Sequence, residues 1–272
     1  MSRVFVLGHR GMLGHLVATY LRQAGCEVVT SAERYAGTPR EPLLQAVHDS
    51  RCAWVINALG AIPQKVEDAG MLFRANTQFP LHLLQELGSD QRLIHASTDC
   101  VFSGMRGQYR TDDPKDADTE YGRSKALGEA IALDPRVVCL RTSLVGPELG
   151  AGSGLLGWFL KQKGEVDGYT NHFWNGITTL EWAKAALEII RGTAAFSSGV
   201  VQLGVAESVS KFELLKLFAE VWEQETEIVA TTTPTGIDRT LVPDVVRPPL
   251  RQQLLELRRW MQASHDDNQS KN

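Results

Sequence analysis

Three groups of residues in this 272-residue chain have the types and spacing to do chemistry. The first is Gly8-His9-Arg10-Gly11-Met12-Leu13-Gly14, three glycines spaced G-x-x-G-x-x-G directly behind an apolar run. Glycines there let a backbone turn tightly from strand to helix and approach a bulky anion with no Cβ in the way. The N–H groups and positive dipole end of the next helix then face that anion, and a pyrophosphate is the usual guest. The second group is Tyr121-Gly122-Arg123-Ser124-Lys125. A Tyr and a Lys four apart on a helix share one face. An ammonium beside a phenol favours the phenolate and lowers the tyrosine pKa. Such a tyrosine can give or take a proton while hydride moves to or from a carbonyl carbon. The third group runs over residues 94–102, with Ser97-Thr98-Asp99 at its centre, at the end of an apolar strand. A hydroxyl in that place can polarise a carbonyl oxygen. Singly, each group also reads as plain structure: a glycine turn, a surface Tyr and Lys, a Ser-Thr-Asp turn. In this order, each on the right kind of element, they are far more specific together than any one alone.

The elements that must position these groups follow from periodicity. Residues 4–7 read as the first strand. Leu13, Leu16, Val17, Tyr20 and Leu21 give a helix one apolar face, ended by Gly25. Strands are expected at 26–30, 53–56, 93–96 and 137–140, and helices at 43–47, 71–87 (one turn disturbed by Pro80) and 121–133. This alternation predicts an α/β fold, a Rossmann-type doubly wound parallel sheet covered on both faces, with ligands at the carboxyl ends of its strands. The pattern loosens after Pro147. Residues 150–154 read as a Gly-rich loop or hinge, followed by helices at 155–160, 182–190, 212–222 and 250–261 and strands at 200–203 and 227–230. The expected division is a nucleotide domain of residues 1–147 plus about 176–200, a small α/β substrate lobe of 148–175 and 201–265, and a disordered tail at 266–272. Residues 105–120 are charged and aperiodic, a solvated loop near the site mouth with a lid role open.

Composition narrows the function class. The chain is 43% hydrophobic and 22% charged, ordinary for a globular protein with a real core. Its formal net charge of −4 gives no electrostatic reason to expect nucleic acid or an anionic membrane as partner. No apolar run reaches bilayer length. A chain that opens on a strand and nucleotide loop is not expected to carry a cleavable signal. Cys26, Cys52, Cys100 and Cys139 form no C-x-x-C pair, and three of them lie in apolar, strand-like runs. Free thiols in a reducing, cytoplasmic compartment fit better than disulfides or a zinc site, and no metal-ligand cluster stands out.

With these residues in view, the chain resembles the extended short-chain dehydrogenase/reductases, and among them the dTDP-4-dehydrorhamnose reductase type. The likeness rests on GHRGMLG, VINALG from Val55, RANTQFP from Arg74, HASTDCVFSG from His95, YGRSK, RTSLVGP from Arg141 and the stretch NHFWNGITT from Asn171. It covers nearly the whole chain and is strongest in the N-terminal half. The resemblance implies reduction of a 4-keto nucleotide sugar with NADPH or NADH, for surface polysaccharide or deoxysugar synthesis. It implies a catalytic trio: Tyr121 as proton donor, Lys125 lowering its pKa and binding the nicotinamide ribose, and Thr98 holding the carbonyl oxygen. It implies that Asn57, Ala58, Leu59 and Gly60 pass under the cofactor and that Asn76 braces that strand end. Asn57 and Asn76 read equally well as ordinary polar residues.

Charges speak to the cofactor. NAD-preferring Rossmann units usually carry an acid at the end of the second strand. Here that strand ends Val28-Val29-Thr30-Ser31 with no acid before Glu33, while Arg10 and Arg34 stand close by. A guanidinium suits a 2′-phosphate, so Ser31, Arg10 and Arg34 are cofactor candidates and NADPH is favoured over NADH. The GHRGM loop is also similar to that of GDP-fucose synthase, an NADPH enzyme of the same superfamily. Substrate candidates are Asp99, Cys100, Asn171, His172, Trp174 and Arg247, the last by resemblance to an Arg-Pro element beside the nucleotide diphosphate. Asn175 is a further sugar or base contact, and Trp174 and Phe173 read equally well as core of the smaller lobe. Two departures bear on substrate: Leu144 stands where that family often has a tryptophan, and Cys100 where a tyrosine is common. Cys100, with His172, opens an alternative as an epimerase or epimerase-reductase. A second alternative is a non-catalytic NADP-binding regulatory subunit, as in the methionine adenosyltransferase beta subunit. The partner expected is a nucleotide-diphosphate sugar, with a homodimer compatible with the sequence.

Overall fold

A computed structural model describes residues 1–149 and 154–269, with side chains to Ser264. The expected hinge at 150–154 lies outside the described residues but for Gly154, and of the tail expected to be disordered at 266–272 only 270–272 do; residues 266–269 continue the last helix.

The first half alternates strand and helix: β1 (Arg3–Leu7), α1 (Met12–Gln23), β2 (Glu27–Val29), α2 (Pro42–Ser50), β3 (Trp54–Asn57), α3 (Ala69–Phe73), α4 (Phe79–Glu86), β4 (Arg92–Ser97), α5 (Glu120–Gly128) and β5 (Val137–Arg141). Then come β6 (Leu144–Val145), α6 (Leu155–Phe159), β7 (Glu165–Tyr169), β8 (His172–Trp174), β9 (Ile177–Thr178), α7 (Thr179–Ile190) and β10 (Gly199–Gly204). The chain closes with β11 (Val209–Ser210), α8 (Lys211–Trp222), β12 (Glu227–Thr231), β13 (Ile237–Asp238), β14 (Val245–Val246) and α9 (Leu250–Gln269).

Seven strands form one sheet in the order β14-β10-β5-β4-β3-β1-β2, every neighbouring pair parallel. Both faces are covered, so successive residues of a strand enter opposite layers. Val4 and Val6 join the core with α1 and α7, whereas Phe5 and Leu7 join the core with α2 and α4. The chain leaves β1 for β2 on one side and returns to β3 on the other. The switch point, where such sheets leave a crevice for ligands, lies between β1 and β3.

Three local departures from the expected pattern have physical causes. The helix expected over residues 71–87 is broken by a π-helical turn at Arg74–Gln78, where Phe79 N–H donates to the Arg74 carbonyl five residues back. Pro80 has no N–H to give the Asn76 carbonyl and its ring crowds that group, so the wider turn relieves the conflict. The helix expected over 121–133 ends at Gly128 and tightens into a 3₁₀ turn, Glu129–Leu133. The strand β10, which the expected boundary near residue 200 split between two units, is wholly part of the main sheet beside β5.

The smaller layer holds the parallel pair β7–β12, the three-stranded set β11-β8-β13 and the pair β6–β9. A full capping box, Ser210 with Glu213, starts α8, which packs across β7 and β12. No helix among the described residues is long and apolar enough to cross a membrane.

Candidate active site

The glycine loop sits at the switch point. Gly8 has φ +76°, and Gly11 N–H donates to its carbonyl at 2.8 Å. A Cβ on Gly8 would stand 2.7 Å from the Ala58 carbonyl carbon, and one on Gly14 would stand 2.2 Å from the Gly8 oxygen. No side chain would fit at either place. The loop enters α1 with no side-chain cap and no acid in the first turn, leaving its N–H groups to an external anion. A cavity of about 390 Å³ opens beside it, lined by Gly8, His9, Arg10, Ser31, Arg34 and, among others, Arg74. Arg74 was not expected; it is presented by the π-helical turn. Burial, then Arg10 and Arg22, lower the His9 pKa, so this histidine is neutral at physiological pH. A cradle too tight for any Cβ, an uncapped helix end and three guanidiniums fit a dinucleotide.

The floor of this cradle is wired to the catalytic strand. Asn57 accepts from Leu59 N–H at 3.0 Å, and its amide lies 3.0 Å from His95 Nδ1. Asn76 clasps Ala61 through both amide atoms, at 2.9 Å each, and donates to Ser124 Oγ. A Cβ on Gly60 would stand 3.1 Å from Asn76 Oδ1 and 3.4 Å from Lys125 Nζ.

Thr98, Tyr121 and Lys125 converge at the carboxyl end of β4. Thr98 Oγ1 donates to Asp99 Oδ1 at 3.0 Å and accepts from Cys100 N–H at 3.2 Å. The Thr98 hydroxyl is close enough to the Tyr121 phenol to favour its ionised form. Helix α5 comes this close because Gly122 faces the loop: a Cβ there would stand 2.1 Å from the Cys100 carbonyl oxygen. Lys125 Nζ donates to the Ala96 carbonyl at 2.9 Å.

The electrostatics correct one expectation. Lys125 does not lower the Tyr121 pKa. Burial and the neighbouring Cys100 raise that pKa, which the Thr98 hydroxyl offsets only in part. The ammonium is engaged by the Ala96 carbonyl, and burial depresses its own pKa while Cys139 and Glu129 support its charge. Tyr121 is therefore a firmly protonated phenol, a proton donor rather than a phenolate. Cys100 is also held protonated, pushed up to about 12 by burial and Asp99. It is a poor carbon base, which counts against the epimerase alternative.

A buried ion cluster fixes this edge from below. Glu129, one turn beyond Lys125, receives Arg141 in a two-pronged pair at 2.9 and 2.7 Å, Ser97 Oγ at 2.6 Å and Lys115 Nζ at 3.1 Å. Burial alone would raise this carboxyl; Arg141, Ser97 and Lys115 overcome it and hold the pKa below the usual range. Ser97 precedes Thr98, so one carboxylate steadies both the strand end and the helix of Tyr121 and Lys125.

The other expected substrate residues make contacts within the chain, and His172 also lines a cavity. Arg247 does not offer its fork to a phosphate: it makes paired contacts with Glu181 and Glu188 of α7. Trp174 is 3% exposed and belongs to the core, while Phe173 beside it is 41% exposed. Their alternation along β8 puts the first inward and the second out. Asn171 uses both amide ends on Thr233, and Asn175 braces Leu241 and Val205. His172 contacts Thr233 Oγ1 at 2.8 Å through Nε2, and burial and Lys211 lower its pKa. The segment 105–120 is no free lid: Tyr109 bridges to Leu241, Thr111 bonds Asp244 and Lys115 pairs with Glu129. Two cations escaped the sequence reading. Lys211 and Arg239 act electrostatically on Cys100 or Asp99, and Arg239 Nε donates to the Phe102 carbonyl. The signal for Lys211 was a lysine in the first position of a helix, where a cation opposes the dipole.

The RmlD substrate binding domain family matches residues 2–263. The spore coat polysaccharide biosynthesis protein SpsK of Bacillus subtilis (strain 168) is 26% identical over 245 residues, 86% of this chain and 84% of that protein. In structure, the chain is similar to dTDP-4-dehydrorhamnose reductase (rfbD) from Bacillus anthracis str. Ames in complex with NADP. The TM-score is 0.82 at 17% identity, over 94% of this chain and 99% of that one. It is also similar to MoeE5 in complex with UDP-glucose and NAD, TM-score 0.72 at 20% identity, over 97% and 99% of the two chains. A match over almost the full length, on a sheet whose switch point carries the glycine cradle and whose β4 edge carries Thr98, Tyr121 and Lys125, settles membership: the chain belongs to the RmlD substrate binding domain family.

Proposed function

We propose that this protein reduces the 4-keto group of a nucleotide-activated 6-deoxysugar with NADPH, in the cytoplasm, for surface polysaccharide or deoxysugar synthesis. The observation that carries the reading is the protonated Tyr121 phenol, set beside Thr98 at the sheet edge and, through Lys125 and Gly60, next to the cofactor cradle. A reduced nicotinamide supplies a hydride when bound. The loop Gly8–Gly14, the floor Asn57–Gly60 and Lys125 would hold it. Thr98 orients the ketone oxygen, and Tyr121 gives the oxygen its proton as negative charge develops there. Arg10, Arg34 and Arg74 around one cavity, against the single acid Glu33, support NADPH over NADH. The free cysteines support a reducing compartment.

The test is a panel of purified 4-keto nucleotide sugars followed by NADPH and NADH consumption. At least one should be reduced, faster with NADPH. Tyr121→Phe should lower kcat by about 100-fold or more while leaving NADPH affinity within a few fold. A protein that binds NADPH and reduces none of the panel would instead be a binding subunit.

A further inference from the structure

Lys211 opens α8, where a cation opposes the helix dipole and needs a reason to be. Among the described residues its ammonium has no hydrogen bond and no carboxylate at ion-pair distance; it lies 5.5 Å from the centre of the Trp174 ring. Asp99 and Cys100 of the catalytic loop act on it electrostatically, as does Arg239. It also lines a cavity of about 620 Å³ whose walls include the exposed aromatics Trp158 and Tyr169 and the apolar Leu155 and Leu215. That size and lining suit a nucleoside, with aromatic faces for a base. One lysine is thus shared by a base-sized cavity and the catalytic edge. Arg247, the other cation expected to meet a diphosphate, is committed to two glutamates.

Resting on the reading of the substrate as a nucleotide sugar, we infer that Lys211 binds its diphosphate, between a nucleoside in this cavity and the ketosugar at Thr98 and Tyr121. A half-buried ammonium without a partner is costly, and a phosphate oxygen relieves that cost in the bound state. Burial depresses the Lys211 pKa, and a phosphate beside the ammonium would restore its charge. Trp174, buried and facing the ammonium at 5.5 Å, then supports the lysine rather than touching sugar, which accounts for an aromatic at that place with so little exposure.

The experiment is calorimetric titration of dTDP, UDP and GDP into the full chain and into Lys211→Met and Lys211→Arg, with NADPH titrated in parallel. At least one diphosphate should bind the parent. Lys211→Met should weaken it about 10- to 100-fold, the loss of one charge-assisted contact. NADPH affinity should hold, and Lys211→Arg should stay within about threefold of the parent because the charge is kept. Should Lys211→Met lose NADPH too, its fold has failed and Lys211→Gln replaces it in the same comparison. Equal diphosphate affinity in parent and Met variant overturns the assignment of Lys211 alone. A parent that binds NADPH but none of the three diphosphates overturns the nucleotide-sugar reading, and this inference with it.

Discussion

A phenol that is to deliver a proton must keep it until the ketone oxygen asks for it. Burial gives Tyr121 that property and raises its pKa. For a proton donor the sign is simple: the protonated form is fully present below the folded pKa, and a raised value moves its loss to higher pH. Reduction should therefore show no loss of kcat from Tyr121 between about pH 7 and about pH 9; a pH profile of kcat checks this, and a falling limb near neutrality that vanishes in Tyr121→Phe would contradict it. The same reasoning covers Cys100, whose thiol is pushed up to about 12. Cys100→Ser should keep reductase kcat within about threefold, because a neutral donor replaces a neutral donor. At this scale the sequence was informative where chemistry is local. Tyr121 and Lys125 are one turn apart, and the glycine loop is contiguous. It was silent or misleading where a role depends on a distant partner: Arg247 looks like a phosphate ligand until α7 brings Glu181 and Glu188 against it, and Lys211 gains its meaning only from Asp99, over a hundred residues earlier.

Elements fail to be rods where the site needs them to bend or touch. Apolar periodicity shows a helix over residues 71–87, and nothing in it shows the π-helical turn that aims Arg74 at the cofactor cavity and Asn76 at Ala61. Only Pro80, read against the carbonyl four residues back, marks the break. Likewise the Tyr121–Lys125 spacing gives the helix face, whereas the distance of that face from Thr98 is set by Gly122. Adding one methyl there drives a Cβ to 2.1 Å from a backbone oxygen, which no side-chain rotation can relieve. Gly122→Ala should push α5 off the catalytic loop, lower stability by about 1–3 kcal/mol and lower kcat by about 10- to 100-fold, since a displacement near 1 Å is costly to an oriented reaction. Thermal unfolding and kcat with NADPH affinity as control measure both. A large drop in stability with kcat intact would mean the helix spacing is not what aligns the phenol.

At the scale of the whole molecule, the catalytic edge hangs on one carboxylate. Glu129 ties β4 through Ser97, β5 through Arg141 and the 105–120 strap through Lys115. Arg141 passes the link to Gln202 on β10, which in turn holds the carbonyls of Tyr109 and Val242. None of these pairings is visible in the sequence, because the participants come from six separate segments and each looks like an ordinary residue. Glu129→Ala would leave the Arg141 guanidinium, 1% exposed, without a counter-charge. Removing one partner of a buried pair typically costs about 3–5 kcal/mol. The pH sign follows from the depressed folded pKa of Glu129: its stabilisation is fully present above the unfolded carboxylate value and is lost as pH falls through the folded one. The parent should thus lose stability on acidification more steeply than Glu129→Ala, and the gap between their Tm values should be widest near neutral pH and narrow in acid. Kinetics separates this support from chemistry: in Glu129→Gln, whose amide can still accept from Arg141 and Ser97, kcat should recover toward the parent even where Tm does not. If Glu129→Ala unfolds at the parent's temperature across that pH range, the cluster is an accessory and the alignment of Thr98 with Tyr121 must come from the glycine contact alone.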